Sequence, residues 1–320
     1  MPEATLIRFA DLRGHQATRR FLQNAVVEQR LAHSLLFAGT GGIGKRGMAL
    51  ALAAWMSCEA RQEETRTADS DACGTCASCR QVAAGAHPDV LLVQLPTGKK
   101  EIGVDQARQL KHFTQLAALR APAKVAIVDD AHLLSLAAQN ALLKTLEEPP
   151  NRSVIILVTS TPDALLSTVR SRCQRVSFAP LSDDDVLAVL RAHVDDNTDL
   201  APLLALAEGS IGRALELHSA MGSDSATGRA FLAAAEGARY SALVSLAEAL
   251  NKPEGQLANK LEMLLAACRQ QAVEALDDPP RRVAALRRAD AIHEAWQAVR
   301  YRNPSRQLLL EALLLRWTAP

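Results

Sequence analysis

The chain has 320 residues, of which 48% are hydrophobic and 22% charged, enough for two or three domains with a real apolar core. Lys and Arg total 36 against 35 Asp and Glu, a formal net charge of +1, which excludes the global basic excess of a dedicated nucleic-acid-binding domain. No apolar run approaches the ~18–20 residues of a membrane span and no long apolar segment opens the chain, so a cytoplasmic protein without a membrane partner is expected.

Aromatic residues are scarce and Ala and Leu abundant, a composition that favours helix. Residues 5–32 place apolar positions at helical spacing. Leu35-Leu36-Phe37 is a short buried strand that runs into Gly39-Thr40-Gly41-Gly42-Ile43-Gly44-Lys45-Arg46, and a helix follows. This is a phosphate loop in strand–helix context, with Gly39 and Gly44 freeing backbone N–H groups and Lys45 placed to reach phosphate. The Ser or Thr that would set a hydroxyl on Mg²⁺ is replaced by Arg46, which carries no acceptor and a positive charge. Phosphate binding, and with it ATP as a ligand, stays open, whereas Mg²⁺-dependent hydrolysis is expected to be weak or absent.

Cys73, Cys76 and Cys79 form C-x2-C-x2-C, with Cys58 one loop upstream. Without a secretion signal such clustering reads as metal ligation, and four thiolates leave no open position, as in a structural Zn²⁺ site. An iron–sulfur cluster is the second reading. Cys173 and Cys268 stand alone and read as small buried hydrophobes. Residues 59–72 are polar and read as an exposed excursion.

After His87-Pro88-Asp89 come a second strand, a helix over 104–119, and the strand Lys124–Val128 tipped by Asp129 and Asp130. Ligands of parallel α/β sheets bind at that edge, which makes Asp129 a candidate for a hydrated metal, against the plainer reading of a helix cap. Residues 134–150 are a helix closed by Pro149 and Pro150, and 153–160 a further strand ending at Thr159, a phosphate sensor or a strand-end cap. Ser171-Arg172-Cys173 offers an arginine able to project into a neighbour's site, or a plain surface arginine. Beyond Pro180 only Ala/Leu-rich helix remains, punctuated by Gly and Pro at 209–212, 222, 253–254 and 279–280. Arg213 opens one of those helices. The apolar helix at 303–317 serves either an oligomer or its own core. The fold class is therefore α/β with a mostly parallel sheet, followed by all-α segments.

These motifs, in this order, resemble the clamp-loader branch of the AAA+ proteins. His33–Gly39 with the loop is similar to its phosphate-loop segment, and the four cysteines to its zinc insert. Asn140–Pro150 (NALLKTLEEPP) is similar to one of its signatures. Thr159, Pro162 and Ser171-Arg172-Cys173 match its sensor-1 and Ser-Arg-Cys motifs, and Gly209–Arg213 its sensor-2 helix. The resemblance implies an AAA+ core at 1–179 with a zinc insert at 58–79, a helical lid at 180–221, and a helical collar at 222–320. It implies a pentamer with gamma- or tau-type motor subunits and one delta subunit, which loads a sliding clamp onto primed DNA within a DNA polymerase holoenzyme. In that assembly this chain is a non-motor subunit, and Arg172 completes a neighbour's ATP site. Gly39, Gly44, Lys45, Asp129, Thr159 and Arg213 form the chain's own nucleotide site. An ATP-hydrolysing motor of the same machine is the alternative, and a zinc-dependent DNA-binding module the third reading.

Overall fold

The computed structural model describes residues 8–61, 66–150, 152–192, 200, 204, 207–221, 247, 248, 250, 251, 257–301 and 304–318. The chain divides into two compact units that meet between residues 185 and 186.

The first unit is built on five parallel strands: β1 (Ser34–Ala38), β2 (Val90–Val93), β3 (Lys124–Val128), β4 (Ser153–Thr159) and β5 (Gln174–Ser177). Their order is β2-β3-β4-β1-β5. Every residue of β1, β3 and β4 is buried, the signature of inner strands covered by helices on both faces, which is why the sequence shows them as unbroken apolar runs. β5 buries only Val176, so its short polar sequence gives little strand signal. The register aligns Ala38 of β1 with Thr159 of β4 and Val128 of β3 with Leu157 of β4, so the loops after β1, β3 and β4 emerge at one edge.

Six helices accompany the strands: α1 (Gln16–Val27), α2 (Lys45–Ser57), α3 (Ala77–Ala83), α4 (Val104–Gln115), α5 (Leu136–Glu147) and α6 (Ser167–Arg170). Ser135 caps α5 by accepting from the Ala138 N–H. Leu110, Ala138, Leu142 and Leu146 from α4 and α5 pack with Leu36, Val128 and Leu157 from the sheet.

Three local expectations change. The 5–32 pattern resolves into a 3₁₀ turn at Phe9–Asp11 and α1, because His15 adopts a left-handed conformation (φ 54°) that no continuous helix allows. The helix read over 104–119 stops at Gln115. The backbone N–H groups of Leu119, Arg120 and Ala121 turn instead to the buried Asp89 carboxylate at 2.7–2.9 Å. The polar stretch read as exposed over 59–72 is exposed at 59–61, Thr67 and Asp69, but part of it is docked. Asp71 accepts from the Phe9 and Ala10 N–H groups, Ser70 bonds the Trp55 indole, and Arg66 is buried over the Trp55 ring. Backbone donors that needed partners explain why this polar stretch folds back.

Helix α7 (Asp183–Leu190) spans the break between the units. The second unit contains α8 (Ile211–Met221), α9 (Leu257–Glu274), α10 (Pro279–Tyr301) and α11 (Arg306–Thr318), with no strand among its described residues. Pro279 and Pro280 open α10, where a missing N–H costs nothing, and Asp278 accepts from the Arg281 N–H. Leu310, Leu313 and Leu314 of α11 pack with Leu261, Leu264, Cys268 and Ile292, so this apolar helix fills its own unit's core. The punctuation at 222 and 253–254, and the boundary expected at 221/222, lie outside the described residues. Among the described residues no helix is long and apolar enough to cross a membrane.

Candidate functional site

The loop after β1 wraps the start of α2 at the C-terminal edge of the sheet. Gly39 accepts no larger residue, since a Cβ there would stand 2.3 Å from the Phe178 carbonyl oxygen. Gly44 has φ 95°, the left-handed region glycine favours, and it delivers the chain into α2. His15, to which the sequence assigned no role, buttresses the loop. Its Nε2 lies 2.8 Å from the Ile43 carbonyl oxygen and its ring packs edge-on against Phe178.

Lys45 is buried, and its ammonium donates to the carbonyls of Gly39, at 2.7 Å, and Thr40. Burial pushes its pKa down, against the pull of Asp130 and Asp129. The lysine is thus folded onto its own loop and must leave those carbonyls to meet a phosphate. Thr159 is fully buried at the end of β4. Its carbonyl accepts from the Gly39 N–H at 3.4 Å, and its hydroxyl accepts from the Thr161 N–H and lies 3.5 Å from His132 Nδ1.

Asp129 sits just past β3, with its N–H donated to the Val93 carbonyl. Its carboxylate lies 3.5 Å from Nη1 of Arg46. Burial, then repulsion from Asp130, raises the Asp129 pKa, and Arg46 opposes both. The residue expected to face a hydrated metal therefore faces a guanidinium, supplied by the position where a metal-binding hydroxyl is missing. The ion pair is a partly solvated one, since the Arg46 side chain is 49% exposed.

The four cysteines converge. The sulfurs of Cys58, Cys73, Cys76 and Cys79 lie within 4.8 Å of one another, Cys73 and Cys79 at 4.0 Å. Tetrahedral bonds of ~2.3 Å set sulfurs roughly 3.8 Å apart, so the cluster suits one four-coordinate ion. Backbone N–H groups of Cys73, Cys76 and Cys79 donate to the sulfurs of Cys58, Cys73 and Cys76. Against a burial penalty, the Thr75 and Cys76 N–H groups bring the Cys73 thiol down to about 6, while burial raises Cys58 and Cys79. Thiolate is therefore favoured at Cys73, whereas Cys58 and Cys79 need an ion's charge to ionise.

A second buried network anchors this insert to the sheet. His87 Nε2 faces Ser78 Oγ at 3.2 Å, Ser78 donates to Glu59, and His87 Nδ1 accepts from the Asp89 N–H. Asp89 then pairs with Lys124 at 3.1 Å, with both side chains buried. In sequence this stretch reads only as the lead-in to β2.

Arg172 lies away from the loop's own contacts. Its Nε donates to Glu147 at 2.9 Å and its Nη1 to the Thr168 carbonyl at 3.1 Å. Glu147 was legible only as part of the NALLKTLEEPP signature. Arg213, in the second unit, donates to Glu262 of α9 at 2.9 Å, and Ser210 accepts from its N–H at the start of α8. Cys173 and Cys268 are buried, as their isolation suggested.

The family model of "DNA polymerase III, delta subunit" matches residues 14–182, more than half of the chain. The DNA polymerase III subunit delta' of Pseudomonas aeruginosa is 38% identical over 189 residues, 58% of this chain and 56% of that protein. That of Escherichia coli is 38% identical over 186 residues, 58% and 54% respectively. The subunit tau of Bacillus subtilis is 33% identical over 204 residues, 64% of this chain and 34% of its own length. The matched region spans between about a third and a little over half of these relatives' lengths. A solved gamma-subunit-related protein of Thermotoga maritima aligns over 94% of this chain and 98% of its own at 18% identity and a TM-score of 0.48.

Proposed function

This chain belongs to the DNA polymerase III delta-subunit family, and from that premise we propose that it is a non-motor subunit of a clamp loader in DNA replication. It assembles with gamma- or tau-type motor subunits and a delta subunit in a hetero-pentamer that uses ATP to open a sliding clamp and close it on primed DNA. The observation that carries this reading is the Arg46–Asp129 ion pair. A site whose metal-facing carboxylate is neutralised by a built-in cation is poorly suited to Mg²⁺-dependent phosphoryl transfer. The chain's catalytic contribution is made elsewhere: Arg172 enters the adjacent motor's ATP site and stabilises charge on the transferring phosphoryl group.

Within that role Gly39, Gly44 and Lys45 of the loop, with Asp129 and Thr159 at the ends of β3 and β4, are the residues that would meet a nucleotide, and any ATP held there is turned over weakly or not at all. Arg213, expected as the lid's arginine, pairs with Glu262 inside its own unit. The lid lies at 180–221 and the collar, which carries oligomerisation, at 222–320. Cys58, Cys73, Cys76 and Cys79 hold one structural Zn²⁺, a reading supported over an iron–sulfur cluster by the closeness of the sulfurs, all within 4.8 Å of one another, which matches a single tetrahedral ion and not the wider spread of thiolates around several irons.

The test is ATP hydrolysis. The purified chain alone is expected to show no motor-like turnover with Mg²⁺, and brisk turnover would instead favour the second reading, a motor. That reading has its own support in the retained Lys45 and in the similarity to subunit tau.

A further inference from the structure

Arg172 stands on a base that the core fixes. Its neighbour Cys173 packs with Leu142, Leu146 and Val169, and its own N–H donates to the Val169 carbonyl at 3.2 Å. The buried Gln139 of α5 ties this base down, accepting the Leu166 N–H with Oε1 and donating to the Leu134 carbonyl with Nε2. From that base the guanidinium is held at two points, Nε on Glu147 and Nη1 on the Thr168 carbonyl. A guanidinium has five N–H bonds. Those not engaged by these two acceptors have no partner among the described residues, and the side chain remains 31% exposed.

Glu147 is the last residue of α5, and Glu148 follows it at the cap. A carboxylate at a helix C-terminus faces the negative end of the helix dipole, a placement that α5 itself does not favour. Its compensating partner is Arg172. The pair is also close to neutral as a unit, so its use lies in orientation at short range more than in long-range attraction of an anion.

We propose that Glu147 is a positioning residue for Arg172. It holds one edge of the guanidinium so that the free N–H groups face outward, ready for the polyphosphate of a neighbouring subunit. This rests on the reading of Arg172 as a donor in trans. Holding the side chain in advance restricts the rotamers it must otherwise give up when the neighbour's site closes around it.

The experiment is a double-mutant cycle in the reconstituted assembly, with clamp and primed DNA, following ATP turnover after confirming that each variant folds and co-elutes with its partners. Glu147→Ala is expected to lower kcat by about 3- to 10-fold with little change in KM for ATP, and Glu147→Gln, which keeps an acceptor oxygen, to recover most of that loss. Arg172→Ala loses more, and adding Glu147→Ala to it loses nothing further. An unchanged or faster Glu147→Ala assembly beside a slow Arg172→Ala one overturns the positioning role and leaves the donor reading standing. The same follows if Glu147→Ala slows the Arg172→Ala assembly again. Full turnover with Arg172→Ala overturns both.

Discussion

At position 46 the glycine loop carries Arg where a hydroxyl would offer a metal ligand. The Arg46 guanidinium reaches 3.5 Å from Asp129, where, on the function proposed above, it would compete with a metal for the carboxylate. Arg46→Ser removes the competitor and restores the ligand type. It is expected to raise Mg²⁺-dependent binding of ATP by about 3- to 10-fold over the parent chain, read by titration with Mg²⁺ against chelator. Equal affinities in all four measurements would show that the pair does not govern the site. Arg46 itself was legible from sequence, because a cation in a liganding position is a chemical contradiction that needs no structure. Its partner was not, because Asp129 lies 83 residues on, and only the sheet order brings the ends of β1 and β3 together around β4.

At the scale of elements, the cysteine insert and the edge of the sheet are joined through Ser78, His87 and Asp89. Asp89 accepts three backbone N–H groups and the Lys124 ammonium with no exposure to solvent. Removing one partner of such a pair leaves a buried charge unanswered, so Asp89→Asn is expected to destabilise the chain by ~3–5 kcal/mol near neutral pH, measured by urea denaturation. Against its burial penalty, the N–H groups of Ala121, Leu119 and Arg120 and then Lys124 hold the Asp89 carboxyl at about 2, below its ordinary 3.8. A carboxyl depressed on folding stabilises the protein above its unfolded pKa and loses that contribution as pH falls toward the folded one. The gap between parent and variant should therefore narrow from about pH 4 to about pH 2. A gap independent of pH would remove the ionised carboxylate from the account. Metal loading belongs to the same scale. Cys76→Ser breaks the four-thiolate set, and is expected to abolish stoichiometric zinc in elemental analysis and lower the melting temperature. Full zinc occupancy in that variant would place the metal elsewhere. The C-x2-C-x2-C spacing announced this cluster, whereas Asp89, Lys124 and His87 gave no signal, because the contacts that tie them into the fold, His87 to Ser78 and Asp89 to Lys124, span 9 and 35 positions.

For the whole molecule, the inner strands and most helices were legible because burial on both faces writes continuous apolar runs and proline writes helix ends. What escaped were features set by partners remote in sequence: the left-handed break at His15, the early end of α4, the docked part of 59–72, and the Glu147 tether. The site likewise divides. Gly39, Gly44, Lys45, Asp129 and Thr159 gather at one edge of the sheet, as the pattern implied. Arg172 engages none of them and is anchored to the end of α5. An arginine held outside its own chain's loop and a loop whose carboxylate already has a cation fit a subunit that assists catalysis in a neighbour.

That division of labour is tested most directly by ATP turnover in the assembly reconstituted with gamma- or tau-type and delta subunits, clamp and primed DNA, using the parent chain or Arg172→Ala, with the isolated chain as baseline. The account predicts negligible turnover by the isolated chain, and a fall of about ten-fold or more in the assembly when the arginine is removed. Brisk hydrolysis by the isolated chain, or an assembly indifferent to the loss of Arg172, would contradict it.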